Sequence, residues 1–148
     1  MAEKNRWTTN HSKTYIALSI CIADGRLNDI EKTAVQTCVR DWISDMPAND
    51  TTALISDAIA RLGKSSSGVQ LLRGVERSSQ HIAKGLNGDL KKMYRFLKQL
   101  KFIAESDKAS KPASSGEARI LRYAANNLGF AGKLNIELGD DGITMSRT

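Results

Sequence analysis

The sequence predicts an all-α fold, a compact bundle of about six to seven helices in one domain. Apolar residues recur at spacings of three and four in successive segments, which is the spacing of one helix face. The chain has only two prolines and 5% aromatic residues, whereas a β-sandwich needs more turns and more β-forming residues. Its 148 residues suit a single domain, 1–148, with a core at residues 12–130 and a tail at residues 131–148.

Two helices of different character open the chain. Residues 12–23 are apolar on nearly all sides, which favours a buried helix. Residues 30–43 instead carry one core-facing stripe. The members of this stripe are Ile30, Ala34, Val35, Cys38, Val39, Trp42 and Ile43. Cys21 and Cys38 lie in these apolar stretches without a CxxC motif or companion histidines, so we expect small buried side chains.

Further helical segments follow in the rest of the core. They are residues 54–62, 69–86, 90–104 and 116–128. Gly63 and Gly129 stand where the first and last of these segments end, as glycine commonly does after a helix. The second segment is the least regular, because Gly74 and Gly85 weaken its helical propensity.

The tail differs from the core in its pattern. Leu134, Ile136 and Leu138 alternate with polar residues, residues 139–142 form a turn sequence, and Ile143 and Met145 alternate again. Such a pattern is typical of a short β-hairpin, but it also fits an extended terminus that frays. We favour the extended terminus.

One pattern occurs twice along the chain. Residues 20–25 (ICIADG) are followed by residues 28–31 (NDIE), which open a helix. Residues 103–108 (IAESDK) are followed by residues 114–117 (SSGE), which open another. In each copy an apolar helix ends near an aspartate, and after a loop the next helix has a glutamate in its first turn. The repeat predicts an internally duplicated helical hairpin.

These segments resemble the family of the tellurite-resistance protein TerB, whose members carry paired IAxxDG…E segments, the second closing with LGF. Here the second segment closes with Leu128-Gly129-Phe130, and the resemblance covers the chain from Tyr15 to Phe130. It implies a helical bundle that acts in membrane-associated stress, tellurite-response or defence assemblies instead of catalysing a reaction. It also implies acidic residues that hold a divalent cation.

The resemblance gives four candidate metal ligands, Asp24, Glu31, Asp107 and Glu117. Carboxylate oxygens suit Ca²⁺ or Mg²⁺ better than a soft metal. Three departures from the family oppose a cation site: Lys108 replaces the glycine after the second aspartate, the second loop is longer, and the chain has a net charge of +6.

The same glutamates also fit a structural role. Residues 28–31 and 114–117 both match the capping box, in which an N-cap side chain and a glutamate three residues later, at N3, satisfy free amide groups at the helix start. The positive end of a helix also favours a carboxylate and repels a metal cation. Capping and cation binding therefore stand as alternative roles for these residues.

A basic helix at Leu90–Lys101 is the second candidate site. It carries no acidic residue, and Lys91, Arg95 and Lys98 fall on one of its faces. Its cations are Lys91, Lys92, Arg95, Lys98 and Lys101. Such a helix can bind phosphates or an acidic protein surface, or it can simply form a solvated outer face.

Other features limit the class of function. His11 and His81 have no carboxylate or nucleophile nearby in sequence, and no catalytic arrangement stands out, so we expect no enzyme. The N-terminus lacks a signal sequence and no apolar run is long enough to span a membrane, so we expect a cytoplasmic protein with no integral membrane segment.

The leading hypothesis is a non-enzymatic, TerB-like module that binds a protein partner. The partner can be membrane-associated, and a divalent cation modulates the module. Two alternatives use the basic helix: an inhibitor or accessory protein from a mobile element that blocks an acidic protein surface, and a nucleic-acid-binding protein.

Overall fold

Helices make up most of the described chain, and a small β-hairpin closes it. The computed structural model describes residues 7–23, 29–42, 49–63, 68–106, 115–139 and 142–147. The helices are α1 (Thr9–Ile22), α2 (Asp29–Trp42), α3 (Asn49–Leu62), α4 (Gly68–Gly85), α5 (Leu90–Ala104) and α6 (Ser115–Ala125). The strands are β1 (Leu134–Gly139) and β2 (Gly142–Arg147). A helical bundle is thus confirmed. None of the described helices has the length and apolar composition to cross a bilayer.

Helix α1 lies at the centre of the bundle, in contact with each of α2 to α6. Ile16, Ala17, Ile20 and Cys21 are fully buried, and the predicted buried helix is confirmed. A helix that is apolar on all sides is most stable where other helices cover every side of it, because all of its apolar surface is then removed from water. Both cysteines are buried and free, as expected.

Two buried hydroxyl groups of α1 are satisfied within the helix itself. Thr14 and Ser19, both fully buried, donate their hydroxyl hydrogens to the carbonyl oxygens of Asn10 and Tyr15, each at 2.8 Å. At the start of the helix, the Thr8 hydroxyl accepts the amide hydrogen of His11, and His11 Nδ1 accepts that of Thr8. These bonds remove the cost of burying unpaired polar groups.

Helix α4 packs against α1 through its glycines. A Cβ atom at Gly74 would collide with the ring and hydroxyl of Tyr15, and one at Gly85 would collide with Thr9. The sequence predicts that these glycines weaken the segment, yet α4 continues without a break through Gly74. The close approach to α1 recovers packing energy that offsets the low helical propensity of glycine.

The two predicted helical hairpins lie together. Helices α1 and α2 contact each other, as do α5 and α6, and α1 also contacts both helices of the second pair. Helix α6 continues into a π-helical turn at Asn126–Phe130, where Gly129 has a φ of 100° and ends the helix. That the two hairpins arose by duplication stays a prediction.

The tail is a β-hairpin, so the preference for a frayed terminus is wrong. Strands β1 and β2 pair antiparallel from Leu134↔Arg147 to Gly139↔Gly142. Ile136 and Ile143 are buried. Glu105 Oε2 accepts the amide hydrogen of Ile143 at 2.8 Å, and Arg122 Nε donates to the carbonyl oxygen of Ile136 at 2.8 Å. These contacts with α6 and the end of α5 hold an otherwise marginal two-stranded hairpin.

Substitution of Gly74 by alanine tests the α1–α4 contact. We expect Gly74→Ala to lower the free energy of unfolding by about 1–3 kcal/mol, because the added methyl group displaces the Tyr15 ring from a packed core. Gly63→Ala is the matched control, since its added Cβ would lie 3.5 Å from the nearest backbone oxygen, that of Ala60, an ordinary contact. Urea unfolding followed by circular dichroism measures both. Equal stabilities of the two variants would contradict the close-packing role.

Candidate functional site

Two of the four predicted metal ligands lie in the described part of the chain. Glu31 and Glu117 are each the third residue of a helix, α2 and α6 respectively, and each is 2% exposed. Each of the two glutamates has an interaction partner. Asp24 and Asp107 lie outside the described residues, as do the predicted capping residues at the starts of both helices.

The positions of the two glutamates agree with the capping role. The third residue of a helix is where the glutamate of a capping box stands, and the helix dipole favours a carboxylate there. Within the described ranges no group of three or more His, Cys, Asp or Glu side chains is arranged to hold a metal ion. A cation site that includes Asp24 and Asp107 stays a prediction.

The basic helix is α5, and its first turn is well defined. Asp89 is the N-cap, and its Oδ1 accepts the amide hydrogens of Lys91 at 3.0 Å and Lys92 at 3.3 Å. Met93, Leu97 and Leu100 are buried against the rest of the bundle. Core packing therefore fixes which side of the helix faces outwards, and the cations lie away from this stripe.

The structure separates the five predicted cations into groups. Lys91, Arg95, Lys98 and Phe102 follow one another at spacings of four, three and four, and all are exposed. We call these four residues the outer stripe. Lys101 lies on another side of α5, where its ammonium group is 2.8 Å from Glu105 Oε1. Lys92 is exposed and borders a cavity shared with α1 and α2. Only three of the five cations therefore share one face.

Contacts with α2 hold one edge of α5. Asp41 Oδ2 accepts a hydrogen bond from Gln99 Nε2 at 2.8 Å and lies 3.5 Å from Arg95 Nη2. The Trp42 indole donates to Gln99 Oε1 at 2.6 Å. The Arg95–Asp41 pair is largely exposed and contributes little stability. It nevertheless orients Arg95, while Lys91 and Lys98 have no acidic partner among the described residues.

Phe102 is the member of the outer stripe that the sequence-based prediction missed. Its side chain is 52% exposed, which is high for a large aromatic residue. With Arg95 and Lys98 it borders a groove of about 380 Å³ between α5 and α2 that also contains Cys38. The signal was present in the sequence, because position 102 falls outside the core spacing of residues 93, 97, 100 and 104.

Lys13 adds a partly buried cation on this side of the bundle. Its ammonium nitrogen lies 5.6 Å from the ring centroid of Trp42 and 5.8 Å from that of Phe96. Burial lowers the pKa of Lys13, Asp41 opposes this effect, and Arg95 and Lys92 lower the pKa further. Asp41 is thus the acidic group that offsets several neighbouring cations.

Cys38 lies in the α5–α2 groove, where we expect its thiol to react slowly. Burial, and then the negative charge of Asp41, raise the pKa of Cys38 to about 11. We expect about one Cys38 side chain in a thousand to be a thiolate at pH 8. Because a thiolate of higher pKa is also the better nucleophile, its reaction with DTNB should be roughly tenfold slower than that of free cysteine. The Cys21→Ala variant isolates this thiol for measurement.

The unfolded protein is the control for this experiment, since denaturant exposes Cys38 and restores an ordinary thiol. Reaction of the folded variant at the unfolded rate would contradict the raised pKa and would make the groove a candidate for covalent chemistry.

No protein-family model matches this chain, and no match was found among curated proteins or solved structures. The resemblance to the TerB family therefore depends on the paired segments in the sequence alone. Among the described residues, the outer stripe of α5 combines exposed cations with an exposed aromatic side chain.

Proposed function

We propose that the chain is a non-enzymatic interaction module that binds an acidic surface of a protein partner through the outer stripe of α5. The observation that carries this proposal is the exposed Phe102 one turn from Lys98. A solvated helix face does not require a half-exposed phenylalanine, whereas a protein interface uses such a residue as its apolar centre.

The two kinds of side chain have separate roles in this proposal. Burial of Phe102 in a partner supplies the main apolar contact, because a few well-buried aromatic anchors are the strongest single contributors at protein interfaces. Lys91 and Lys98, which have no acidic partner among the described residues, attract an acidic surface and fix its orientation. Arg95 contributes less, since Asp41 already offsets its charge.

The resemblance to the TerB family supports this class of function, because members of that family act through assemblies instead of through catalysis. By that resemblance the partner belongs to a stress, tellurite-response or defence assembly. A divalent cation held by Asp24, Glu31, Asp107 and Glu117 is a separate proposal, which the outer stripe does not require.

Nucleic acid is the main competing ligand, and Phe102 distinguishes it from a protein. Duplex DNA is bound largely through its phosphates, so its affinity depends on Lys91 and Lys98 and falls steeply with salt. An acidic protein surface needs Phe102 as well. The variants below separate these contributions.

Fluorescence anisotropy with two probes tests the proposal. The probes are an acidic amphipathic peptide that contains leucine and tryptophan, and a short DNA duplex. We expect Phe102→Ala to weaken peptide binding about tenfold, the effect of an anchor worth roughly 1.4 kcal/mol, and to leave DNA binding unchanged. The Lys91→Glu/Lys98→Glu variant should weaken both, since it reverses two charges without breaking the Arg95–Asp41 pair.

Matched controls are available elsewhere on the surface. Lys32→Glu reverses an exposed charge on α2, and Leu138→Ala removes an exposed apolar side chain from the hairpin. Neither should change peptide binding. The proposal fails if Phe102→Ala binds the peptide as tightly as the wild type, or if the duplex binds more tightly than the peptide at physiological salt.

A further inference from the structure

A second concave surface lies between α1, α3 and α4 and shares no residue with the outer stripe. It encloses about 570 Å³, within the range of small-molecule sites. The side chains that matter for its chemistry are Trp7, Tyr15, Arg61, Arg73, Arg77 and His81. None of the described residues that line it carries a carboxylate.

The cavity is strongly cationic. Arg73, Arg77 and His81 follow one another at intervals of four along α4, so that one side of this helix faces the cavity, and Arg61 comes from the last turn of α3. Within the described ranges, none of the three arginines has a hydrogen bond or an ion pair. Three guanidinium groups around one cavity repel each other, and a bound anion relieves that repulsion.

Arg61 is held in place by an aromatic side chain. Its guanidinium carbon lies 3.7 Å from the ring centroid of Trp7, the geometry of a stacked cation–π contact. The Trp7 ring in turn packs 4.9 Å from the His11 ring and 6.4 Å from that of Tyr15. Its indole donates a hydrogen bond to Ser12 Oγ at 2.8 Å. Arg61 is thus positioned before any ligand binds.

The buried Ser12 hydroxyl that binds the Trp7 indole also orients His81. Ser12 Oγ lies 2.8 Å from His81 Nδ1. Because Ser12 accepts the indole hydrogen and is fully buried, it positions the imidazole and is not placed to act as a nucleophile. The Ser12 hydroxyl hydrogen is available to Nδ1, and in that tautomer Nε2 carries the imidazole proton and can donate it to a ligand.

Neither histidine has a partner nearby in sequence, but the fold gives one to each. His11 Nε2 lies 2.8 Å from Asp57 Oδ2, and His81 contacts Ser12. These partners are 46 and 69 residues away in sequence, so local spacing did not reveal them. In the folded chain His11 supports the ring of Trp7 from behind, and Asp57 fixes His11.

We propose that this cavity binds a small phosphate-bearing molecule. The arginine side chains match the planar, bidentate geometry with which guanidinium groups hold phosphate oxygens, and Arg73 and Arg77 are the pair one turn apart on α4. Trp7 and Tyr15 form an aromatic wall that accommodates the rest of the molecule. A concave site with cations and aromatic walls suits a free metabolite better than the extended backbone of a duplex.

The tryptophan in the wall gives a direct measurement of binding. The chain contains two tryptophans, and Trp42 packs against Phe96, outside the cavity. The Trp42→Phe variant therefore reports Trp7 emission alone. We expect ribose 5-phosphate, AMP and inorganic phosphate to change this emission saturably and to raise the melting temperature, and adenosine, which lacks the phosphate, to do neither.

Arginine variants in the Trp42→Phe background locate the site. Arg73→Gln/Arg77→Gln removes two exposed cations from α4, and we expect at least tenfold weaker binding of ribose 5-phosphate. Arg61→Gln gives a second test from a different helix. Arg40→Gln removes an exposed cation from α2 and should leave binding unchanged. Circular dichroism confirms that each variant is folded.

Four results would overturn the assignment. The first two are the absence of a saturable response to every phosphate-bearing probe, and binding of ribose 5-phosphate by the Arg73→Gln/Arg77→Gln variant as tight as that by the Trp42→Phe parent. The other two are an adenosine response as large as that of AMP, and tighter binding of a phosphoserine peptide than of ribose 5-phosphate. The last result would keep the phosphate site but assign it to a protein ligand. A negative result for ligand binding in this cavity would not affect the outcome of the Phe102 experiment, because the two sites share no residue.

Discussion

The burial of α1 is the constraint on which the rest of the structure depends. Every other helix contacts α1, and residues such as Ile16 and Ile20 have no exposed surface at all. Little of α1 is left to contact a ligand apart from Tyr15, which borders the cavity with α3 and α4, and its buried polar side chains serve the fold or orient others. Ser12 is the clearest example, since it links Trp7 to His81. The two surfaces for which we propose ligands therefore lie mainly on the outer helices α4 and α5.

Periodicity was sufficient to predict the helices, because burial of one helix face requires apolar residues at spacings of three and four. It was not sufficient for the hairpin. Alternation in so short a tail is compatible with two structures, and the choice is made by Glu105 and Arg122, which bind the backbone of Ile143 and Ile136. The basic face of α5 was predicted in part. Which of its cations remain unpaired depends on neighbours, such as Asp41 and Glu105, that only the folded chain brings close.

The cavity between α1, α3 and α4 had the weakest sequence signal. Its residues come from three helices and from Trp7, which precedes α1, so no single segment contains the site. The spacing of Arg73, Arg77 and His81 along one side of α4 was a usable clue, opposite to the buried Val75 and Ile82. The net charge of +6 is thus not a uniform property of the surface. Arg61, Arg73 and Arg77, and likewise Lys91 and Lys98, form no ion pair in the described ranges.

The glycine contacts of α4 have a consequence for how the cavity works. Gly74 lies at Tyr15 and Gly85 at Thr9, an order that makes the two helices antiparallel. If α4 slid by one turn along α1, Gln70 or Ser78 would replace Gly74 at the Tyr15 ring, where even one methyl group does not fit. The helices are thus locked in a single register. A cavity built on a locked register keeps its shape when empty, so a ligand that enters it spends little of its binding energy on rearranging the protein.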